Sequence, residues 1–135
     1  MIRTFLISKL HQVRVTHADL EYEGSFGIDS EILEAAGILE NEMVHVYNID
    51  KGTRFSTYAI PEPAKSRRMQ ANGACAHLVS PGDRVIICVY ADLNEEEWKA
   101  HQPTVLFMDE KNNFRYKQPY ENAHSETCFL HTAEV

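Results

Sequence analysis

The sequence lacks several features that would mark a membrane-bound, secreted or nucleic-acid-binding protein. None of its 135 residues belongs to an apolar run of about 18 or more, which excludes an ordinary membrane-spanning helix. The segment Met1 to Leu10 is too short and too charged for a secretory signal. Only three cysteines are present, an odd number that fits a reducing cytoplasm better than a disulfide framework. The formal net charge of -7 argues against binding to nucleic acid phosphates. We therefore expect a cytoplasmic protein without a membrane or nucleic-acid partner.

The usual short catalytic motifs are also missing. No HExxH or CxxC occurs, and the histidines show no spacing typical of zinc ligands, so we expect no metal site. The GxGxxG fingerprint, the phosphate loop and the GxSxG nucleophile elbow are absent as well. Hydrophobic content of 44% and charged content of 24% are nevertheless typical of a folded globular chain, and the length suits one domain.

Short strand-like runs separated by turn signals dominate the sequence, which predicts a mainly β fold, namely a small β-barrel. Pro61 and Pro63 are expected to end the strand that begins at Arg54, because proline donates no ladder hydrogen bond. The predicted strands are residues 2–6, 10–15, 43–49, 54–60, 84–90, 104–108 and 114–117.

Two short helices are expected. Asp29 or Ser30 can cap the first, an apolar stripe follows, and Gly37 is placed to stop it. The second, around residues 94–101, is weaker in pattern, and its three consecutive glutamates suit a solvated first turn.

Gly24-Ser25 is the single Gly-Ser pair in the chain. Such a pair usually marks a turn, but it also has the atoms that backbone self-cleavage needs. The Ser25 hydroxyl is adjacent in sequence to the Gly24 carbonyl, and glycine tolerates strained dihedrals without blocking attack. An N-to-O acyl shift would give an ester, elimination would leave dehydroalanine, and hydrolysis would leave a pyruvoyl group at residue 25. The oxyanion that forms during the shift needs a nearby hydrogen-bond donor.

Many further segments, taken together and in order, resemble the pyruvoyl-dependent aspartate 1-decarboxylase family. The resemblance covers roughly residues 1–115. The matching segments are Met1-Ile2-Arg3-Thr4, Lys9-Leu10-His11, Val15 to Leu20, Tyr22-Glu23-Gly24-Ser25, Ala35 to Ile38, Arg54 to Ile60, Asn72-Gly73-Ala74, Gly82-Asp83 and Val85-Ile86-Ile87.

This resemblance implies a double-psi β-barrel decarboxylase over residues 1–117, followed by a tail of unknown role at 118–135. It implies a precursor that cuts itself between Gly24 and Ser25 and then makes β-alanine and carbon dioxide from L-aspartate through a Schiff base, which would supply pantothenate and coenzyme A biosynthesis. It also implies a lyase that is a homotetramer with sites between subunits, and a cofactor that is the protein's own pyruvoyl group rather than pyridoxal phosphate.

The resemblance also implies roles for individual residues. Ser25 becomes the pyruvoyl group, Tyr58 donates a proton, and Thr57 contacts substrate and supports self-cleavage. The remaining implied substrate-binding residues are Lys9, His11, Arg54, Asn72, Gly73, Ala74 and Cys75.

The chemistry of these side chains suits the roles. Decarboxylation needs an electron sink for the carbanion, and a carbonyl condensed with the substrate amine is one. Arginine can hold a carboxylate with two parallel hydrogen bonds, and tyrosine keeps its proton at neutral pH. Without the resemblance, Arg54 would be read as a surface ion pair, Tyr58 as a strand aromatic, and Lys9 with His11 as a solvated strand face.

Some features depart from the family or conflict with regular strand geometry. Tyr47 stands where the family usually has tryptophan, Cys75 where it has alanine, and Phe26 where it often has cysteine. In a regular strand Thr57 faces away from Arg54 and Tyr58, so an irregular strand or a second subunit must reconcile their joint use.

Two other functions remain open from the residues. One is a barrel that binds a partner and never processes itself. The other is a pyruvoyl decarboxylase for another amino acid such as glutamate, because one methylene changes binding by only about 1–3 kcal/mol.

Overall fold

The computed structural model describes residues 1–118, and these form nine strands and two short helices. The mainly β prediction with one or two helices is confirmed, while the predicted tail at 118–135 lies outside the described residues apart from Gln118. The strands are β1 (Arg3–Arg14), β2 (His17–Asp19), β3 (Ser25–Asp29), β4 (Met43–Asn48), β5 (Arg54–Glu62), β6 (Met69–Asn72), β7 (Arg84–Leu93), β8 (Thr104–Met108) and β9 (Phe114–Tyr116). The helices are α1 (Ser30–Ala36) and α2 (Glu95–Ala100), and a 3-10 turn covers Gly73–His77.

The strands form one mixed sheet in the order β2-β6-β3-β5-β4-β7-β1-β8-β9. A twisted sheet of this size curls so that one face can enclose a core, which gives the small barrel-like arrangement expected. The largest fully buried core side chains come from six of its strands, from α1 and from the residue after β1; they are Phe26, Leu10, Ile28, Ile32, Met69, Ile87, Leu106, Val13, Val15, Val44, Val46 and Val85. No helix in residues 1–118 is long and apolar enough to cross a membrane.

Strand β1 joins two segments that the sequence predicts as separate strands. It pairs antiparallel with β7, and its register shifts between Leu6 and Ser8 and again between Leu10 and Val13. Gln12, inside the second irregularity, has a positive φ of 66°. These bulges let one long strand bend around the core, and they break the simple alternation from which separate strands were inferred.

Strand β5 runs to Glu62, so the prediction that Pro61 ends it is wrong. Pro61 pairs with Ile28 in the parallel ladder between β3 and β5. On its other side, β5 pairs with β4 only between Arg54 and Tyr58. One edge of β5 is therefore without a ladder at Pro61, and the missing N–H group does not interrupt the sheet.

Both predicted helices are confirmed, and α1 has the caps that the sequence indicates. The Asp29 side chain accepts a hydrogen bond from the Glu31 backbone, and Gly37 ends α1 with a left-handed φ of 73°. Asn94 caps α2 in a reciprocal capping box with Glu97, and α2 contributes no buried residue.

Candidate active site

Ser25 is the first residue of β3 and only 2% of its surface is exposed, although Gly24 before it is exposed. Strand β3 lies between β6 and β5 in the sheet, and Ser25 pairs directly with Asn72 on β6. The Gly24–Ser25 peptide bond therefore joins an accessible loop to a buried strand. A reaction at this bond would take place at the end of a rigid element rather than within a loose turn.

The Ser25 hydroxyl is held by two hydrogen bonds. Asn72 Nδ2 donates to Ser25 Oγ over 3.0 Å, and Oγ donates to the Glu23 carbonyl over 3.3 Å. Asn72 itself has no exposed surface. A buried N–H donor aimed at Oγ would stabilise negative charge that develops on this oxygen.

The 3-10 turn that follows β6 lies against the segment before Ser25. Gly73 has a φ of 71°, and a Cβ built on it would lie 2.9 Å from both the nitrogen and the Cα of Gly24. Cys75 Sγ lies 3.2 Å from the Asn72 carbonyl oxygen and 3.6 Å from that of Ser25. Burial raises the pKa of the Cys75 thiol above its ordinary value, so the neutral S–H can donate to these carbonyls. Ala74 is exposed in the same turn.

Thr57 and Tyr58 lie on β5, the other neighbour of β3. Ala59 pairs with Phe26, so the preceding residue Tyr58 comes to the level of Ser25. Thr57 pairs with a buried valine of β4 and is half-buried, whereas Tyr58 is exposed. The two residues therefore alternate between the faces of the strand, as regular strand geometry predicts.

The other implied site residues, Lys9, His11 and Arg54, lie on β1 and β5, and β7 and β4 separate these two strands. The guanidinium carbon of Arg54 lies 4.6 Å from the centroid of the Tyr47 ring, so an aromatic wall remains where the family usually has tryptophan. The His11 ring packs edge-on against Phe107 at 5.7 Å between centroids. A cavity of about 320 Å³ opens beside Arg54, lined by His45, Tyr47, Arg54, Phe55 and Ser56.

Lys9, His11 and Arg54 are each distant from Ser25 within one chain. Arg54 lies four residues from Tyr58 along β5, roughly 13 Å at the rise of an extended strand. Lys9 on β1 is separated from β5 by β7 and β4, which is three strand spacings or roughly 14 Å. One chain therefore brings Gly24, Ser25, Asn72, Gly73 and Cys75 together and keeps Lys9, His11 and Arg54 apart from them.

The structure adds residues that the sequence analysis did not single out. Tyr90 shares a hydrogen bond of 3.0 Å with the Tyr47 hydroxyl, and this bond, with burial, raises the pKa of Tyr90. Gln70 Nε2 donates to Asn72 Oδ1 over 2.6 Å. Polar residues at alternate positions of β6 were the available signal for Gln70, because they share one face of a strand. Within residues 1–118, no three His, Cys, Asp or Glu side chains cluster in a way that could hold a metal ion.

Comparison with known proteins gives a consistent result. The model of a family described as aspartate decarboxylase matches residues 1–115. An aspartate 1-decarboxylase of Psychromonas ingrahamii is 54% identical over 113 residues, which are 84% of this chain and 90% of that protein. A protein of the same name from Alcanivorax borkumensis is 52% identical over 83% of this chain and 89% of the relative. Another, from Leptothrix cholodnii, is 49% identical over 85% of this chain and 88% of the relative.

Proposed function

This chain belongs to the aspartate decarboxylase family, and from that premise we propose that it converts L-aspartate to β-alanine and carbon dioxide. The match extends over residues 1–115 and includes all of the candidate site residues. The observation that carries the proposal is the hydrogen bond from buried Asn72 to Ser25 Oγ, beside the exposed Gly24.

Maturation would begin with attack of Ser25 Oγ on the Gly24 carbonyl carbon. The hydroxyl proton moves to the Ser25 nitrogen as the peptide bond breaks, and an ester forms. Loss of the Ser25 Cα proton and cleavage of the Cβ–Oγ bond then release Gly24 as a carboxylate and leave dehydroalanine. Addition of water and loss of ammonia convert residue 25 to a pyruvoyl group. We assign oxyanion stabilisation during the shift to the Thr57 hydroxyl.

The residues around position 25 fit a pyruvoyl group. Asn72 offers a buried N–H donor, and Cys75 Sγ contacts the carbonyl of residue 25. The pyruvoyl group would supply the carbonyl that condenses with the substrate amine and accepts the electron pair left by carbon dioxide. The Tyr58 hydroxyl would deliver a proton to the carbon that lost the carboxylate. Pyridoxal phosphate and a metal ion are not needed for this chemistry.

The separation of Lys9, His11 and Arg54 from Ser25 suggests how a complete site is assembled. Arg54 carries a permanent, forked charge suited to a substrate carboxylate, but within one chain it is far from Ser25. We propose that Lys9, His11 and Arg54 of a neighbouring subunit complete each site in a cytoplasmic homotetramer, with residues 1–117 as the barrel of each subunit. The β-alanine product would supply pantothenate and coenzyme A biosynthesis.

Intact mass and product formation together test the proposal. Wild-type protein should give fragments of residues 1–24 and 25–135, with a blocked N-terminus on the longer one, and should form β-alanine without added pyridoxal phosphate. Ser25→Ala is the control and should remain uncut and inactive. A fully active chain that keeps an ordinary serine at position 25 would contradict the proposal.

Two further measurements separate the alternatives. Faster turnover of glutamate than of aspartate would indicate a decarboxylase for another amino acid, whereas an uncut, inactive wild type would leave a binding protein. Borohydride reduction in the presence of aspartate should attach the substrate amine at residue 25, and an adduct at a lysine would point to different chemistry.

A further inference from the structure

Three polar side chains on β6 and just before it form a continuous line of hydrogen bonds to Ser25. Arg68 Nε donates to Gln70 Oε1 over 2.9 Å, and Gln70 Nε2 donates to Asn72 Oδ1 over 2.6 Å. Asn72 Nδ2 then donates to Ser25 Oγ over 3.0 Å. The three residues alternate along the chain and so share one face of the strand. Both Gln70 and Asn72 are buried, which shields these bonds from competition with water.

The direction of this line is dictated by chemistry. An arginine side chain can only donate hydrogen bonds, so the end of the Gln70 amide that faces Arg68 must be its oxygen. The Gln70 NH₂ group must then face Asn72, whose facing atom must in turn be an oxygen. The remaining NH₂ group of Asn72 therefore points at Ser25 Oγ. Reversing any one amide would leave two like groups facing each other in a buried site, at a free-energy cost.

The outer end of the line is anchored by Glu62 at the end of β5. Its Oε2 lies 3.7 Å from Arg68 Nε, and its side chain occupies the space beside Gly27. A Cβ on Gly27 would lie 2.8 Å from Glu62 Cγ and closer still to Glu62 Oε1, so only glycine admits this placement. Gly27 itself pairs with Gln70 across β3 and β6. The contact between Glu62 and Arg68 therefore connects the end of β5 to the start of β6, across Gly27 of β3.

We propose that Gln70 and Arg68 are positioning residues, which orient the Asn72 amide so that its N–H group faces Ser25 Oγ and thereby set the rate of self-cleavage. The inference rests on the proposed function. When the Cβ–Oγ bond breaks, Oγ leaves with the Gly24 carboxylate and gains negative charge. An N–H donor stabilises that charge, whereas a reversed Asn72 would present its carbonyl oxygen and oppose it.

Gln70→Glu tests the orientation with almost no change in shape. A carboxylate at position 70 still accepts from Arg68 and gains an ion pair with it, but it cannot donate to Asn72. Asn72 should therefore reverse. We expect the first-order rate of precursor cleavage, followed by intact mass, to fall on the order of 10²-fold. The thermal midpoint should stay equal to that of wild type or rise. If Gln70 had a merely structural role, slow cleavage would be accompanied by a lower thermal midpoint.

The double variant Arg68→Met with Gln70→Lys is the matched counterpart. Lysine at position 70 can only donate a hydrogen bond, so it should keep Asn72 in the original orientation. Lysine differs from glutamine in shape more than glutamate does, so this variant separates orientation from shape. We expect it to cleave faster than Gln70→Glu. The opposite order, or cleavage of Gln70→Glu at the wild-type rate, would overturn the inference. Should the double variant not fold, the Gln70→Glu rate alone decides.

Failure of the proposed function would look different. If the proposed self-cleavage does not occur, the wild-type chain itself will remain uncut. If only the positioning role is wrong, the wild-type chain will be cut and Gln70→Glu will be cut at the same rate. With an uncut wild type, the orientation is measured by the scalar coupling across the hydrogen bond between the side-chain nitrogen of Gln70 and the side-chain carbonyl carbon of Asn72. Absence of that coupling would overturn the orientation as well.

Discussion

Gly73 packs so closely against Gly24 that a side chain at position 73 has no room. A Cβ there would lie 2.9 Å from two backbone atoms of Gly24 and 3.0 Å from the Tyr22 carbonyl oxygen. These are backbone atoms of the segment that the proposed self-cleavage must cut, so they cannot give way as the end of a flexible side chain could. The turn after β6 therefore fixes the position of the cleavage segment.

Gly73→Ala should accordingly slow self-cleavage and destabilise the fold. The left-handed φ of 71° costs a non-glycine residue about 1–3 kcal/mol, and the clash with Gly24 adds to it. Gly52→Ala is the control, because Gly52 has a φ of 73° but no atom within 4 Å of its Cβ position. Denaturant unfolding should show a lower free energy of unfolding in both variants, and intact mass should show slow cleavage in Gly73→Ala alone. Equal cleavage rates would mean that the contact with Gly24 is unimportant.

Local signals predict much of the fold, since the elements they specify depend on near neighbours. The cap of α1 is such a signal, because Asp29 bonds to a backbone group two residues away. The error at Pro61 arises because proline's effect on a strand depends on which edge has a partner. At Pro61 the partner is Ile28 of β3, which lies far earlier in the chain, and that pairing cannot be derived from local pattern.

The candidate site shows the same limit. The resemblance implies that Ser25 and Asn72 belong to one site, and the structure pairs them across 47 residues of sequence. Gln70 was missed because alternating polar residues are a weak signal where no strand is predicted, and its role depends on hydrogen bonds with Arg68, just before β6, and with Asn72. The distance of Arg54 from Ser25 likewise follows from the strand order, which short-range patterns do not specify.

Cys75→Ala should leave cleavage and turnover nearly intact. The Cys75 side chain does not crowd the turn, since its Sγ is directed at the carbonyl oxygens of Asn72 and Ser25. Loss of these weak hydrogen bonds should lower the free energy of unfolding by about 0.5–1.5 kcal/mol. Denaturant unfolding and β-alanine formation per processed site measure the two effects. A large loss of turnover would instead give the thiol a direct role in the reaction.

Arg54→Lys should reduce kcat/KM for aspartate by about 10- to 100-fold. Lysine keeps the charge but loses the paired donors, and a hydrogen bond to a charged group contributes about 1.5–3 kcal/mol. Cleavage at Gly24 should continue, because the proposed self-cleavage uses the Ser25 and Thr57 hydroxyls and no step of it is assigned to Arg54. Arg84→Lys is the control, since Arg84 makes an exposed ion pair with Asp50 at 2.8 Å. Unchanged kcat/KM in Arg54→Lys would remove Arg54 from the site.

Tyr58 and Thr57 should separate turnover from self-cleavage, because turnover needs a proton donor whereas self-cleavage needs a donor to the oxyanion. Thr57→Val keeps the shape of the side chain and removes the hydroxyl that we assign to the oxyanion, so uncut precursor should accumulate. Tyr58→Phe removes only the phenolic hydroxyl, so it should cleave normally. Its turnover per processed site should fall by about 10²–10⁴-fold, the typical contribution of a positioned general acid.

The processed fraction by intact mass, measured beside β-alanine formation, decides between the two assignments for each variant. Tyr116→Phe serves as the control for Tyr58→Phe, because Tyr116 is 40% exposed against 38% for Tyr58 and lies on β9, at the far edge of the sheet. It should cleave and turn over like wild type. If Tyr58→Phe also matches wild type per processed site, the proton that replaces carbon dioxide must come from another hydroxyl or from water. If Thr57→Val is cut at the wild-type rate, a different donor stabilises the oxyanion, and Asn72 becomes the nearest donor to Ser25 Oγ with that capacity.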